Sequence, residues 1–449
     1  MTPYRHRMQA LTTTAPQPHP GPDVRRITVA VVAWGTAIVA TNLALTGEPF
    51  GEAPDLALRA PPLHGVLDVR LDASVLIPLA VGTLLVVAGP AAVRRADWGW
   101  ILVGATAAAA AWAVALALVD GSDGLLRGVL GPTEYLADVG RVRDVGDLVD
   151  RYPDLVRTRG LAAHSSGHPP GLLLALVGLD RLGLGGAEPA AVLFVTGGAA
   201  AVPAVLVAAR DVAGEAFARR AAPYVVLAPC ALWVATSADA LYTGVSAWAA
   251  AAVVLATART GRRSDLLAMA GGVGFGVAVF VSYGLGLVAL VPLVVAIARR
   301  RLRPLVVAAA AALAVGLGFL AAGFSWIEGF AATRERYFAG IASQRPYLTF
   351  LIVNVVVLAL VLGPIGVYGL ARLRDRAAWL LVGGAAGAVA FADLSGMSKG
   401  EVERIWLPFA LWLLLACGAI ETSNRAARAL LAVQATACLV ISTTVVTAW

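Results

Sequence analysis

The sequence predicts an all-α protein that crosses a membrane many times. Of its 449 residues, 59% are hydrophobic and 14% are charged, and the mean hydropathy is +0.79. A soluble globular protein carries about 25% charged residues, so the composition favours a polytopic membrane protein. Two further observations agree: apolar runs of spanning length recur along the chain, and arginine clusters occupy short segments between many of them.

Thirteen apolar runs are candidate transmembrane helices, and several of them are shorter than the about 20 residues that a full span needs. In chain order they are Ile27–Leu45, Ser74–Ala91, Trp98–Val119, Pro189–Ala209, Ala221–Thr236, Leu241–Thr257, Leu266–Val281, Leu285–Ala298, Pro304–Ala322, Leu348–Leu370, Ala378–Ala392, Ile405–Ala419 and Ala429–Val446. A further run, Gly171–Leu182, is shorter and contains Asp180 and Arg181. The prediction is about 13 spans plus one juxtamembrane or half-inserted helix.

The arginine distribution predicts the orientation. If the N-terminus is cytoplasmic and the run after His168 does not cross, the arginine clusters lie on the cytoplasmic side, at residues 94–95, 210–220, 259–263, 299–303, 372–376 and 425–428. That arrangement obeys the positive-inside rule. It also places the longer polar segments outside, at residues 121–168, 237–239, 282–284, 323–347 and 396–404. Any chemistry is therefore expected on the extracytoplasmic face.

The predicted organisation has three parts. Residues 1–26 form a disordered cytoplasmic tail, residues 27–97 hold two N-terminal transmembrane helices, and residues 98–449 form a transmembrane module with an extracytoplasmic loop at 120–168. The run from Ile27 is longer than a signal-peptide core, which indicates a retained span. Lys399 is the single lysine in a chain rich in Ala, Gly, Val and Arg. This composition is typical of bacteria, so the predicted location is a bacterial plasma membrane.

Composition and motifs exclude several classes of site. The net charge of +7 would suggest nucleic acid as the partner of a soluble protein, but here orientation explains the arginines, so no nucleic-acid partner is predicted. Cys230, Cys417 and Cys438 lie in apolar runs without metal-ligand spacing and are expected to be inert. The chain has no Walker loop, HExxH or CxxC motif.

The longest polar interval, residues 131–171, contains the first candidates. Glu134 and Asp138 are spaced i, i+4, which places both carboxylates on one face if the segment is helical. A carboxylate close to the membrane boundary is costly unless it is used or paired. The later acids, at 144–154, alternate with arginines and indicate a solvated amphipathic helix.

The same interval ends in His168-Pro169-Pro170-Gly171, a strong helix start because proline fits the first helical turn. Helix initiation explains the prolines and leaves His168 unexplained. We expect this imidazole to face the acidic loop, where it can hydrogen-bond a phosphate or a sugar hydroxyl.

A second charged group precedes the span at Ile405. It consists of Lys399, Glu401, Glu403 and Arg404. Arginine binds phosphate bidentately, so Arg404 is a candidate phosphate ligand. The alternative is that Arg404 snorkels and pairs with Glu401 or Glu403.

The remaining candidates are also on the outer side. Arg336 and Arg345 lie beside Tyr337 and Tyr347, a combination that suits anionic headgroups and sugars. The alternative is an interfacial aromatic belt. Asp239 and Tyr242, in the outer turn at 237–242, are weaker candidates.

These motifs resemble those of the GT-C superfamily of integral-membrane glycosyltransferases, whose protein O-mannosyltransferase and aminoarabinose transferase branches are best known. The resemblance rests on Glu134-Tyr135…Asp138, His-Pro-Pro at 168–170, the segment 208–239 and the late arginine of 400–404. It implies a GT-C-like fold for residues 98–449. The chain departs from those branches by its two preceding spans and by lacking an adjacent acidic pair, so Glu134 and Asp138 both remain candidate bases.

The resemblance implies a polyprenyl-phosphate-linked sugar as donor and inverting transfer to a hydroxyl of a glycan, lipid or protein acceptor. Glu134 is the first choice as general base. Arg404, with Arg336 or Arg345, would stabilise the leaving phosphate, while His168 and Tyr135 would line the pocket. Membrane lipids would surround a groove for the prenyl tail. The sequence shows no clear oxygen cage, so a divalent metal remains open as a cofactor.

Two other function classes remain. A secondary transporter or lipid flippase would use the outer carboxylates and the break at Gly363-Pro364 for ion coupling. That class predicts ionisable residues near mid-span and an internal repeat, and the sequence offers little beyond Asn354 and Tyr283 and no convincing repeat. The third class is a non-catalytic assembly subunit, in which the outer carboxylates can be exchanged without loss of function.

Overall fold

The computed structural model describes residues 24–235 and 237–447, and within them the chain is mostly helical. The helices are α1 (Val24–Thr46), α2 (Leu76–Arg95), α3 (Trp98–Ala117), α4 (Asp123–Leu130), α5 (Leu136–Val139), α6 (Val145–Asp150), α7 (Tyr152–Arg157), α8 (Ala163–Gly167), α9 (Gly171–Arg181), α10 (Ala187–Ala213), α11 (Glu215–Val226), α12 (Asp239–Thr257), α13 (Gly261–Val281), α14 (Leu290–Ala298), α15 (Arg303–Ala321), α16 (Trp326–Phe338), α17 (Tyr347–Arg372), α18 (Ala378–Leu394), α19 (Val402–Ile405), α20 (Leu407–Leu414) and α21 (Asn424–Thr444). Two short strands are β1 (Gly65–Leu67) and β2 (Val445–Thr447). Most of the predicted disordered tail, residues 1–23, lies outside the described part of the chain, and α1 includes residues 24–26.

The long helices are those of a polytopic membrane protein, as predicted. Within residues 24–235 and 237–447, nine helices are long and apolar enough to cross a membrane, namely α1, α2, α3, α10, α12, α13, α15, α17 and α21. Each coincides with one of the thirteen predicted spans.

The other four predicted spans are shorter or broken. Three are apolar helices of 10–17 residues, at Tyr283–Ala298, Ala378–Leu394 and Leu407–Ala419. The fourth, predicted as one helix over Ala221–Thr236, is interrupted: α11 ends at Val226, and a 3-10 helix begins at Pro229. Proline lacks the N–H of a helical residue and disfavours the α conformation before it, and Ala228 is extended. The prediction of a continuous helix there is wrong.

The run after His168 forms α9, an 11-residue helix. At 1.5 Å per residue its length is about 16 Å, roughly half of the hydrocarbon thickness of about 30 Å. It packs against α5 of the polar loop and against α13. A helix this short does not cross the membrane alone.

The centre of the bundle is a row of four helices, in which α10 packs on α12, α12 on α13, and α13 on α15. Small residues permit the close approach, since a Cβ at Gly244 would collide with the Gly197 carbonyl. The short α20 is buried along its whole length against α12, α17 and α18. This packing brings the start of α12 beside α19 and α20, which helps to form the site described below.

The N-terminal helices are integrated with the rest of the bundle. Helix α1 packs on α17, where the Trp34 indole donates a hydrogen bond of 2.9 Å to the Ala359 carbonyl. Helix α2 packs on α3 and α21. Strand β1 pairs antiparallel with β2, with Val66 opposite Val446. The last predicted span therefore ends too late, because the helix stops at Thr444 and Val446 is in a strand.

The polar segment 121–168 folds into five short helices, α4 to α8, rather than an open loop. The predicted amphipathic helix at 144–154 is split into α6 and α7. The Tyr152 hydroxyl is fully buried and donates to the Ser165 carbonyl at 2.5 Å. Helix α7 packs on α16, from which Arg336 donates to the carbonyls of Val156 and Leu161. These contacts fix the segment against the end of the bundle.

Helix α17 contains a break that a buried side chain repairs. Gly363 has a φ of +71°, which interrupts the helical hydrogen bonds. Gln434 of α21 is fully buried, donates to the Leu362 carbonyl at 2.7 Å and accepts from the Ile365 N–H at 3.1 Å. The amide therefore satisfies two backbone groups that have no access to water.

We expect Gln434→Met to lower the free energy of unfolding by about 2–5 kcal/mol, because it keeps the volume but leaves two buried backbone groups unpaired. The measurement is the thermal unfolding midpoint in detergent. The matched control is Gln344→Met, since Gln344 is exposed. Equal midpoints for the two variants would show that the bridge contributes nothing.

Candidate functional site

Segment 121–168, the start of α12 and helix α19 meet around a small cavity. Its polar lining comes from Glu134, Tyr135, His164, His168, Ser237, Asp239, Tyr242 and Arg404. Six of these were candidates from the sequence: Glu134, Tyr135, His168, Asp239, Tyr242 and Arg404. The structure thus brings together candidates that are up to 270 positions apart, from 134 to 404.

Glu134 lies in the turn before α5, where its side chain is 9% exposed. One carboxylate oxygen is 2.6 Å from Nδ1 of His164. The other is 3.4 Å from the Thr133 hydroxyl, a weak contact. The backbone joins the same two segments, because the His164 N–H donates to the Thr133 carbonyl at 2.9 Å.

Arg404 lies at the other side of the cavity and is 6% exposed. It donates to Asp239 at 2.7 Å and to Glu401 at 2.7 Å. Its second amino group is also 3.0 Å from Nε2 of His164. The alternative that Arg404 pairs with a neighbouring glutamate is therefore right for Glu401. Asp239 is the more buried of the two carboxylate partners, since its side chain is 6% exposed.

These distances fix the tautomer of His164. A guanidinium only donates hydrogen bonds, so Nε2 of His164 accepts from Arg404 and the ring proton is on Nδ1. That proton is donated to Glu134. The result is a hydrogen-bonded chain that runs from Asp239 through Arg404 and His164 to Glu134.

Sequence reasoning missed His164. The signal was present, because His164 precedes His168 by four residues in the polar segment. The His-Pro-Pro motif drew attention to the second histidine alone. The contacts show that the first one joins the acidic and basic halves of the cavity.

His168 lies behind the chain, between two tyrosines. Its ring centroid is 6.1 Å from that of Tyr135 and 5.5 Å from that of Tyr242, and the two tyrosine hydroxyls are 2.7 Å apart. Nδ1 of His168 donates to the His164 carbonyl at 3.0 Å. Burial lowers the pKa of His168 to about 4, so the ring is neutral near pH 7 and its Nε2 is an acceptor.

Asp138 does not line the cavity. Helix α5 begins at Leu136, after Glu134, so the shared helical face expected for the two carboxylates does not form. Asp138 is 1% exposed and accepts from the Ala162 N–H at 2.8 Å and from Arg141 at 3.2 Å. Its contacts hold the start of α8 in place.

Three other predicted residues donate hydrogen bonds to backbone carbonyls near the site. Lys399 donates through Nζ to the carbonyls of Ala342 and Arg345, at 3.0 Å each. Arg345, 3% exposed, donates to the carbonyls of Leu56 and Lys399. Arg336 holds the polar segment, as described above. None of the three lines the cavity around Arg404.

Glu403 is fully buried beneath the cavity. One oxygen accepts from the His64 N–H at 3.3 Å, which brings the segment between α1 and α2 against α19. Burial raises the pKa of Glu403 to about 7. Glu401, by contrast, has a φ of +60° and a side chain that is 25% exposed.

Within residues 24–235 and 237–447, no group of three or more His, Cys, Asp or Glu side chains is arranged to hold a metal ion. No protein-family model matches the chain, and neither curated proteins nor solved structures give a match to it.

The raised pKa of Glu403 predicts a pH-dependent stability. The pKa of this carboxyl is 4.5 in the unfolded chain and about 7 in the folded chain. The free energy of unfolding of the protein therefore falls as the pH rises from 4.5 to 7. We therefore expect Glu403→Gln to increase the free energy of unfolding by about 3 kcal/mol above pH 7, and to have little effect at pH 4.5. Thermal unfolding across this range tests it, with the exposed Glu328→Gln as control. A difference that does not change with pH would contradict the assignment.

Proposed function

We propose that the chain is an integral-membrane glycosyltransferase of the GT-C type, which transfers a sugar from a polyprenyl-phosphate donor to an acceptor hydroxyl. One observation carries the proposal: the buried carboxylate of Glu134 and the guanidinium of Arg404 line one small cavity and are joined by His164. Displacement of a phosphate from a sugar needs a base for the acceptor and a cation for the leaving group. The cavity offers both, in Glu134 and Arg404.

The proposed setting is a bacterial plasma membrane with the cavity on the extracytoplasmic face. The positive-inside distribution of arginines supports this orientation. In the proposed topology the nine long helices and the four shorter or broken segments make about 13 passes. Helix α9 lies at the membrane edge, and the module from residue 98 onward is GT-C-like.

In the proposed reaction the acceptor hydroxyl attacks the anomeric carbon while Glu134 takes its proton. A bond forms between the acceptor oxygen and that carbon, and the bond from the carbon to the phosphate oxygen breaks. The leaving polyprenyl phosphate keeps the electron pair. Because attack and departure are on opposite sides of the carbon, one such step inverts the anomeric configuration.

Glu134 suits the role of base better than Asp138. His164 holds one oxygen of Glu134, and the other has only a weak contact at 3.4 Å. That second oxygen is available to an acceptor in the cavity. Both oxygens of Asp138 accept hydrogen bonds away from the cavity, so we assign Asp138 to positioning.

Arg404 already faces two carboxylates, and this constrains how a donor binds. A phosphate added to Asp239 and Glu401 would place three anions on one guanidinium, which is unfavourable. Glu401 is the more exposed partner, at 25% against 6% for Asp239. We infer that the donor phosphate replaces Glu401 on Arg404 and that Asp239 remains. The neutral His168 and the paired tyrosines then offer polar contacts to the sugar hydroxyls.

We expect Glu134→Gln to lower turnover about 100- to 10,000-fold, the contribution of a general base. Arg404→Lys keeps a charge but loses the two-pronged donor, so donor binding weakens. Asp138→Asn is expected to lower the thermal unfolding midpoint. Its effect on the turnover of folded protein is expected to be smaller than that of Glu134→Gln. The measurement is sugar loss from synthetic polyprenyl-phosphate sugars by purified protein in lipid.

The matched control is Glu335→Gln, because Glu335 is an exposed glutamate whose contact is the surface residue Arg157. Full turnover by folded Glu134→Gln would overturn the assignment of the base. Folded wild-type protein that neither binds nor consumes any donor across a panel of sugars would overturn the glycosyltransferase itself.

A further inference from the structure

A larger cavity lies at the end of the bundle opposite the candidate site. It is lined by the C-terminal end of α2, by α11 and by the segment before α21. Helix α3 has 20 residues and separates the two ends, since it starts just after Arg95 and reaches the polar segment 121–168. The proposed transfer reaction does not use this cavity.

The cavity is rich in arginine. Arg94, Arg219 and Arg220 line it, together with Glu421. Arg219 binds Glu215, which also pairs with Arg210 at 2.8 Å, while Arg220 pairs with Glu421 at 3.2 Å. Arg94 donates to a carbonyl, that of Thr422. These four arginines thus exceed the two carboxylates, and the region carries a net positive charge.

Two buried hydroxyls give an independent indication of a ligand. Tyr224 and Thr422 both line the cavity, and Tyr224 is 2% exposed. Among the described residues neither hydroxyl has a hydrogen-bond partner. A buried donor without a partner costs about 1–3 kcal/mol. An anion with several acceptor oxygens would satisfy both hydroxyls and the excess of guanidinium groups.

The apolar part of the lining distinguishes a lipid from a free ion. Val93, Pro223 and Ile420 lie beside the arginines in the lining of this cavity. A cavity with basic and apolar walls at the membrane boundary fits a headgroup whose chains continue into the hydrocarbon. We propose that this cavity binds the phosphate of an anionic phospholipid, with Arg94, Arg220 and Tyr224 as donors.

The test is native mass spectrometry of the purified chain with phosphatidylglycerol or phosphatidylcholine added. Wild type is expected to retain phosphatidylglycerol preferentially. Tyr224→Phe removes a hydroxyl that has no partner among the described residues, so we expect the fold to be kept. Retention of phosphatidylglycerol is expected to weaken about tenfold, which is the effect of one hydrogen bond to a charged group. Arg94→Gln is expected to weaken retention at least as much.

The matched control is Tyr347→Phe, because Tyr347 is 40% exposed, donates to the Leu394 carbonyl and does not line this cavity. Equal retention of the two lipids, or equal loss in Tyr224→Phe and Tyr347→Phe, would overturn the proposal. Inorganic phosphate is the second probe. If millimolar phosphate displaces phosphatidylglycerol completely, the cavity takes a free anion and the assignment to a lipid is wrong.

Discussion

The guanidinium of Arg404 is a positive charge that almost no water reaches, and the surrounding structure is arranged to stabilise it. A buried charge is tolerated when it is paired and hydrogen-bonded, and loss of one partner of a buried pair costs about 3–5 kcal/mol. Arg404 takes its partners from three separate parts of the chain, namely Asp239 at the start of α12, Glu401 before α19 and His164 in the polar segment. The requirement to pair this charge therefore fixes how those three parts meet.

The position of Glu134 follows from that arrangement. His164 can donate to Glu134 because Arg404 occupies its other nitrogen, and the segment that carries both residues is held down by Tyr152 and Asp138. The short helices of segment 121–168 thus cover the end of the bundle and are tied to it by these contacts. In the proposed enzyme, this cover places the base opposite the cation before any donor arrives, which is the preorganisation that electrostatic catalysis requires.

Local rules predicted much of this protein. Apolar length alone identified the nine long helices. The charged segments identified Glu134 and Arg404 as candidates, and the His-Pro-Pro helix start identified His168. The missed features depend on contacts distant in sequence. The pairing of Arg404 with Asp239 joins residues 165 positions apart, and the link through His164 joins residues 240 apart. The break before Pro229 could have been predicted locally, because proline disfavours a helix before it. The prediction of one continuous span there rested on apolar length alone.

The most direct test is a cryo-EM structure of the chain in a lipid nanodisc with a non-hydrolysable polyprenyl phosphonate sugar. We expect the phosphonate on Arg404 in the place of Glu401, with Asp239 still paired and the anomeric carbon facing Glu134. Analogue bound away from Arg404, or a saturated sample in which the pair of Arg404 with Glu401 is intact and the cavity is empty, would contradict the assignment of this cavity to sugar transfer.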